Sequence, residues 1–271
     1  MRGSVVRMIG LAVAVVVAIG VLYQLPASPF SHRGYPDRRS AETVQSSEQT
    51  VVPRSQTVEP GERSSSVPVR PQPAITYPMR GTLSYTVLPG NPAVIGRSGR
   101  LLTFQIAIEG GIKGIDRAAL ATFVRATYGA PQGWASHGLW RFVQVGPGEN
   151  PDFKLMLVTP ETRDTICGAA PDRYTSCRIG DRVVLNVARW AHGVPDFGAP
   201  LTTYRQYMIN HETGHRLGRG HELCPGPGQP APVMQQQTLG LHGCTAYPWP
   251  YLNGARYKGR PGKYDDPIPH S

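Results

Sequence analysis

The run His211-Glu212-Thr213-Gly214-His215-Arg216-Leu217-Gly218-Arg219-Gly220-His221 sets three imidazoles and one carboxylate at the spacing of a catalytic zinc site. Histidines at i and i+4 lie on one face of a helix, so both rings reach one metal ion while the backbone between them stays helical. Glu212 follows the first ligand directly. Its carboxylate therefore leaves the helix beside the metal without ligating it, where it takes a proton from an attacking water and passes it to a leaving amine. Gly218 has a backbone role. Glycine accepts positive φ at little cost, so the helix ends there and the chain folds back to bring His221 to the third coordination position. Three protein ligands to Zn2+, His211, His215 and His221, leave a further position open to water, which separates a catalytic zinc from a structural one. All fixed positions of this pattern coincide by chance in roughly three of every hundred thousand chains of this composition, so chance is set aside. His32, His137, His192, His242 and His270 have no such neighbours and receive no ligand role.

The ligand helix is predicted from about Thr202 to Leu217, where Tyr204, Tyr207, Met208, His211 and His215 recur at three- or four-residue steps and turn one stripe to the core and the metal. An earlier helix starts at the capping residue Asp116 and runs through Tyr128, with Leu120, Phe123 and Val124 on one face and Gly129-Ala130-Pro131 ending it. Apolar or alternating runs at Thr82 to Val87, Leu101 to Glu109, Trp140 to Val145, Phe153 to Val158 and Arg182 to Val187 read as strands. The fold class is α+β, a twisted mixed β-sheet with two main helices, the second carrying the zinc ligands. Residues 76–271 are enough for one domain with a full core.

The histidine pattern resembles that of the metzincin clan of zinc endopeptidases, whose motif H-E-x-x-H-x-x-G-x-x-H precedes a methionine-containing turn. Met234, in Pro230-Ala231-Pro232-Val233-Met234-Gln235-Gln236-Gln237, matches that turn. The resemblance implies a zincin fold and a Met234 that lies beneath the metal as an apolar floor without ligating it. It also implies that the strand before the ligand helix, Val183, Val184, Leu185, Asn186 and Val187, is an edge strand with which an extended substrate pairs. Glu222 after the third histidine is similar to astacin-like members. Those enzymes place a Tyr two residues after the methionine, where this chain departs with Gln236, so the oxyanion donor stays open among Gln235, Tyr247 and Tyr251. The layout over roughly residues 75 to 250, with its Cys-Pro-Gly-Pro-Gly segment, also resembles an uncharacterised family of actinobacterial envelope proteins.

Met8 to Leu25 holds no charged residue and comes after Arg2 and Arg7. This predicts a cytoplasmic N-terminus at 1–7, a transmembrane signal-anchor at 8–25 and export of the chain from residue 26 onward, with a cleaved signal peptide and secretion as the alternative. Residues 26–75 are rich in Pro, Ser, Gln and Arg and poor in apolar runs, which predicts a disordered stalk or a pro-segment. The four cysteines, Cys167, Cys177, Cys224 and Cys244, agree with export, and pairing of Cys167 with Cys177 and Cys224 with Cys244 closes two short loops. Net charge is +10, yet the basic residues are scattered and form no nucleic-acid motif. Anionic envelope polymers are the contact this charge would suit.

The sequence supports two readings of function. The first is an extracytoplasmic, zinc-dependent endopeptidase acting on a polypeptide or wall-peptide substrate, with Glu212 moving the proton. The second is a non-catalytic envelope-binding module in which the zinc site only stabilises the fold.

Overall fold

The structure, a computed structural model, describes residues 73–168 and 171–269. In chain order these form β1 (Tyr85–Val87), β2 (Asn91–Ile95), β3 (Arg100–Glu109), α1 (Arg117–Gly129), β4 (Trp140–Gln144), β5 (Phe153–Val158), α2 (Pro160–Cys167), β6 (Cys177–Ile179), β7 (Arg182–Asn186), α3 (Val187–His192), α4 (Leu201–Arg216), β8 (Tyr251–Leu252) and β9 (Ala255–Arg256). The main sheet runs β2-β4-β3-β5-β7-β6, with β1 added to the far half of β3. It is mixed. β3 pairs in parallel with β4 and β5, and β5 with β7, while β1, β2 and β6 are antiparallel to their neighbours.

The period of two along β3 and β5 sorts the side chains between the sheet faces. Leu102, Phe104, Ile106, Leu155 and Leu157 join Val183 and Leu185 in the principal core, against Leu120, Val124 and Tyr128 of α1 and Tyr204, Tyr207 and Met208 of α4. Ala107, Met156, Val158 and Val184 face the other way and are covered by α2 through Ile166 and Cys167. Asp116 caps α1 by accepting from the Ala119 amide at 2.9 Å, as its position before an apolar stripe predicts. The helix that carries the histidines is held at several points. Tyr128 and Thr213 share a buried hydroxyl hydrogen bond of 2.9 Å, Trp134 Nε1 donates to Asn210 O at 2.9 Å, and Arg216 Nη2 donates to Asp152 O at 2.8 Å.

Four expectations are corrected. Helices number four among the described residues, because the chain adds α2 after β5 and α3 after β7. Val187 belongs to α3, whose first turn is capped by Asn186 accepting from Ala188 N at 3.0 Å. The stretch Val183, Val184, Leu185 and Asn186 is no sheet edge: β7 has β5 on one side and β6 on the other, and all four residues are buried. The edge is β6. Finally, the expected transmembrane helix has no support, since no helix of the described residues is long and apolar enough to cross a membrane. The longest of them, α4, has 16 residues, which rise about 24 Å against a hydrocarbon core of about 30 Å. Residues 1–7, 8–25 and 26–72 lie outside the described residues.

Asp152, at the entry to β5, ties β3 to the end of α4. Its carboxylate accepts from Thr103 N at 2.7 Å and Thr103 Oγ1 at 2.9 Å, and the Thr103 amide bond, with Arg100 and Arg216 nearby, holds its pKa below the usual range. A folded-state pKa below the unfolded one contributes stability above about pH 4 that is lost as pH falls through the folded value. Asp152→Asn is therefore expected to cost about 1–2 kcal/mol at pH 7 and to cost less at pH 3. Urea denaturation of both proteins at the two pH values checks this.

Candidate metal centre

α4 carries His211 and His215 to one end of a cleft of about 400 Å³, and the turn after the helix brings His221 to meet them. The turn is built by backbone hydrogen bonds: Gly218 N donates to His215 O at 3.1 Å and Arg219 N to Gly214 O at 2.9 Å, the paired pattern of a Schellman C-cap. It needs Gly218 at φ +80°, as the sequence predicts. Arg219 O then accepts from His215 Nδ1 at 2.8 Å, so the turn that ends the helix also orients a ring.

His211 Nδ1 pairs with Val233 O at 2.8 Å. With Nδ1 of both rings donating to carbonyls, Nε2 of both is an unprotonated acceptor. Those Nε2 atoms lie 3.2 Å apart, and His215 Nε2 lies 3.1 Å from His221 Nε2. Lone pairs facing at that distance repel unless a cation or proton sits among them. Tetrahedral zinc with nitrogen at about 2.0–2.1 Å sets its ligand atoms about 3.3 Å apart, so the donor set fits that ion. All three ligand atoms lie within 4.8 Å of one another. Burial first, and the neighbouring rings second, push His211 well below the usual imidazole range, while burial and then His215 push His221 down to about 4. The rings are thus neutral, the form that binds a metal.

Glu212 is 6% exposed and lines the same cleft. Burial pushes its carboxyl up to about 8, against the pull of Arg163 and Arg178. A divalent cation among the rings opposes that shift. Met234 is fully buried and does not line the cleft. A Cβ on Gly214 would collide with its Sδ, so glycine at this position lets the methionine close against α4 between the two helical ligands. The Met234 segment also contributes backbone. Val233 O holds His211, and Met234 O accepts from Glu222 N at 3.1 Å, next to the third ligand.

None of the three candidates for an oxyanion donor lines the cleft, whereas Gln236, two residues after Met234, does. Gln235 is buried with its amide on Gly240 O and Leu241 O, Tyr247 donates to Tyr251 O, and Tyr251 stacks on His137. Glu222 pairs with Arg256 at 3.0 Å. Both disulfides join the cysteines that short loop closure pairs: Cys167 with Cys177, which ties α2 to β6, and Cys224 with Cys244, which encloses the Met234 segment. Arg163, Asp172, Arg178 and Thr238 also line the cleft, and sequence reasoning does not reach them. Arg163 pairs with Asp164 at 2.9 Å and Asp172 at 2.6 Å. The Thr159-Pro160 start of α2 is a helix signal that could have placed Arg163, whereas a three-residue strand gives Arg178 none.

A family model described as a protein of unknown function, DUF3152, matches residues 72–251, and the chain belongs to that family. No curated protein and no solved structure matches it significantly.

A Cβ at Gly218 would meet nothing within 4 Å, so a substitution there acts only through the backbone conformation. Gly218→Ala is expected to lower stability by about 1 kcal/mol and to weaken zinc binding, because the strained turn carries both His221 and the carbonyl that orients His215. Thermal unfolding and competitive zinc titration measure the two effects, and unchanged zinc affinity counts against this role of the turn.

Proposed function

We propose that this domain is a zinc-dependent endopeptidase with a metzincin-like fold, acting on polypeptides or wall peptides in an oxidising compartment. The observation that carries the reading is a carboxylate without a ligand role, Glu212, lining one cleft with three converging imidazoles. A site meant only to stabilise a fold has no use for that group. The two disulfides support the compartment.

Zinc bound by His211, His215 and His221 supplies Lewis acidity that lowers the pKa of water toward neutrality and polarises a carbonyl. Glu212 accepts the proton of the attacking water and returns it to the leaving nitrogen. The charge of a bound cation opposes the effect of burial on Glu212 and so favours the carboxylate form that accepts the proton. Gln236, whose side-chain amide has no hydrogen-bond partner among the described residues, donates to the oxygen on which negative charge develops. Substrate selection begins at β6, the antiparallel edge above the site, whose outer backbone groups pair with an extended chain.

Glu212→Gln in the full chain is expected to lower kcat about 10²- to 10⁴-fold on an unfolded protein substrate while zinc content is unchanged. Chelation is expected to abolish hydrolysis and added zinc to restore it. Equal hydrolysis by wild type, variant and chelated protein contradicts the reading. Zinc uptake with no hydrolysis of any polypeptide moves the function to an envelope-binding module.

A further inference from the structure

The charge that faces the cleft is unevenly matched. Glu212 and Asp172 are the acidic groups among its lining residues, and Asp172 is consumed by Arg163 at 2.6 Å and by hydrogen bonds from Thr175 and Tyr174. Both terminal nitrogens of Arg163 are in turn engaged, Nη1 by Asp164 and Nη2 by Asp172 and Thr175. Arg178 has no ion pair or hydrogen-bond partner among the described residues. Its direction is set by register. Arg178 stands opposite Val183, and Val183 lies in the core beneath α4, so Arg178 projects on that same face of the sheet. Cys177, opposite Val184, points to the other face, where its disulfide to Cys167 pins β6 to α2. The edge strand is thus anchored by one residue and presents a free guanidinium from the next. Among the described residues that line the cleft, Arg178 is thus the cation left without a partner.

We propose that Arg178 is a specificity residue that binds a substrate carboxylate close to the scissile bond, so that the site selects acidic peptides. The assignment rests on the hydrolytic reading of the site only for the word scissile. Its binding content stands apart. A peptide laid antiparallel on β6 turns alternate side chains toward α4, and a carboxylate there meets the planar donor fork of Arg178, which takes two oxygens at once. The same chemistry is offered by an Asp or Glu side chain and by a free peptide C-terminus. Each makes a different enzyme, one cutting beside acidic residues and one trimming ends.

The test uses the full chain loaded with zinc and carrying Glu212→Gln, so that binding is read without turnover. Fluorescent octapeptides carry Glu, Gln or Lys at each position in turn, with the C-terminus free or amidated. Glu peptides are expected to bind roughly fivefold or more tightly than Gln peptides at one position, and Lys peptides more weakly. Arg178→Gln is expected to erase the difference with unchanged melting temperature, and Arg178→Lys to keep part of it. A gain that tracks the free C-terminus and not the side chain supports the same assignment, with the terminal carboxylate as its source. Equal affinities across the set, or a preference that survives Arg178→Gln, overturns it. Cleavage of the set by wild type without charge preference overturns it too, leaving hydrolysis intact. Carboxylate-selective binding without cleavage sinks the hydrolytic reading and leaves this one standing.

Discussion

Everything at this site depends on three imidazoles being held with their Nε2 atoms toward one point. Such an arrangement is costly for a protein that does not bind a cation. It buries polar rings, faces the lone pairs of His211 and His215 at 3.2 Å and depresses every ring's basicity. The backbone enforces it. Carbonyls of Val233 and Arg219 take the opposite ring nitrogens, fixing tautomer and orientation together. The chain has placed its own amide dipoles where they leave the Nε2 lone pairs of His211 and His215 free.

The rest of the domain keeps those carbonyls still. Arg219 is fixed by the C-cap that ends α4, and Val233 by a loop whose ends are drawn together by Cys224–Cys244 and whose next residue, Met234, fits the space left by Gly214. α4 is in turn fixed to α1 by Tyr128 and Thr213 and to the entry of β5 by Arg216. A long chain of packed groups therefore ends in the position of two ring nitrogens. On the other side of the cleft, β6 is held by the disulfide between Cys167 and Cys177.

Much of this is legible in the sequence because the elements that matter have strong local signals. The period of Tyr204, Tyr207, Met208, His211 and His215 locates α4 to within one residue at each end, and Asp116 marks the start of α1. The apolar run Phe153–Val158 has the ends that β5 shows. The failures have physical causes. The apolar run of β7 continues into α3 with no break in hydrophobicity, and Asn186, which caps that helix, reads equally well as a strand residue. The resemblance gives the edge to the strand before α4, and β6, three residues long and below the length at which alternation shows, leaves no sequence signal to correct it. β2 carries Pro92 and is exposed along most of its length, and its apolar run is only Ala93-Val94-Ile95, too short to mark a strand. Ligands close in sequence are visible as a motif, whereas Arg163, Asp172 and Arg178, brought to the cleft by tertiary folding, are not.

The most direct test of the central claim is zinc K-edge X-ray absorption on the purified full chain, with metal content measured on the same sample. One zinc per chain is expected, bound by three imidazole nitrogens at about 2.0–2.1 Å and by light-atom ligands only, since among the described residues every cysteine is in a disulfide. A protein that retains no zinc at neutral pH, or whose spectrum requires fewer than three imidazoles, contradicts the convergence on which the chemistry rests.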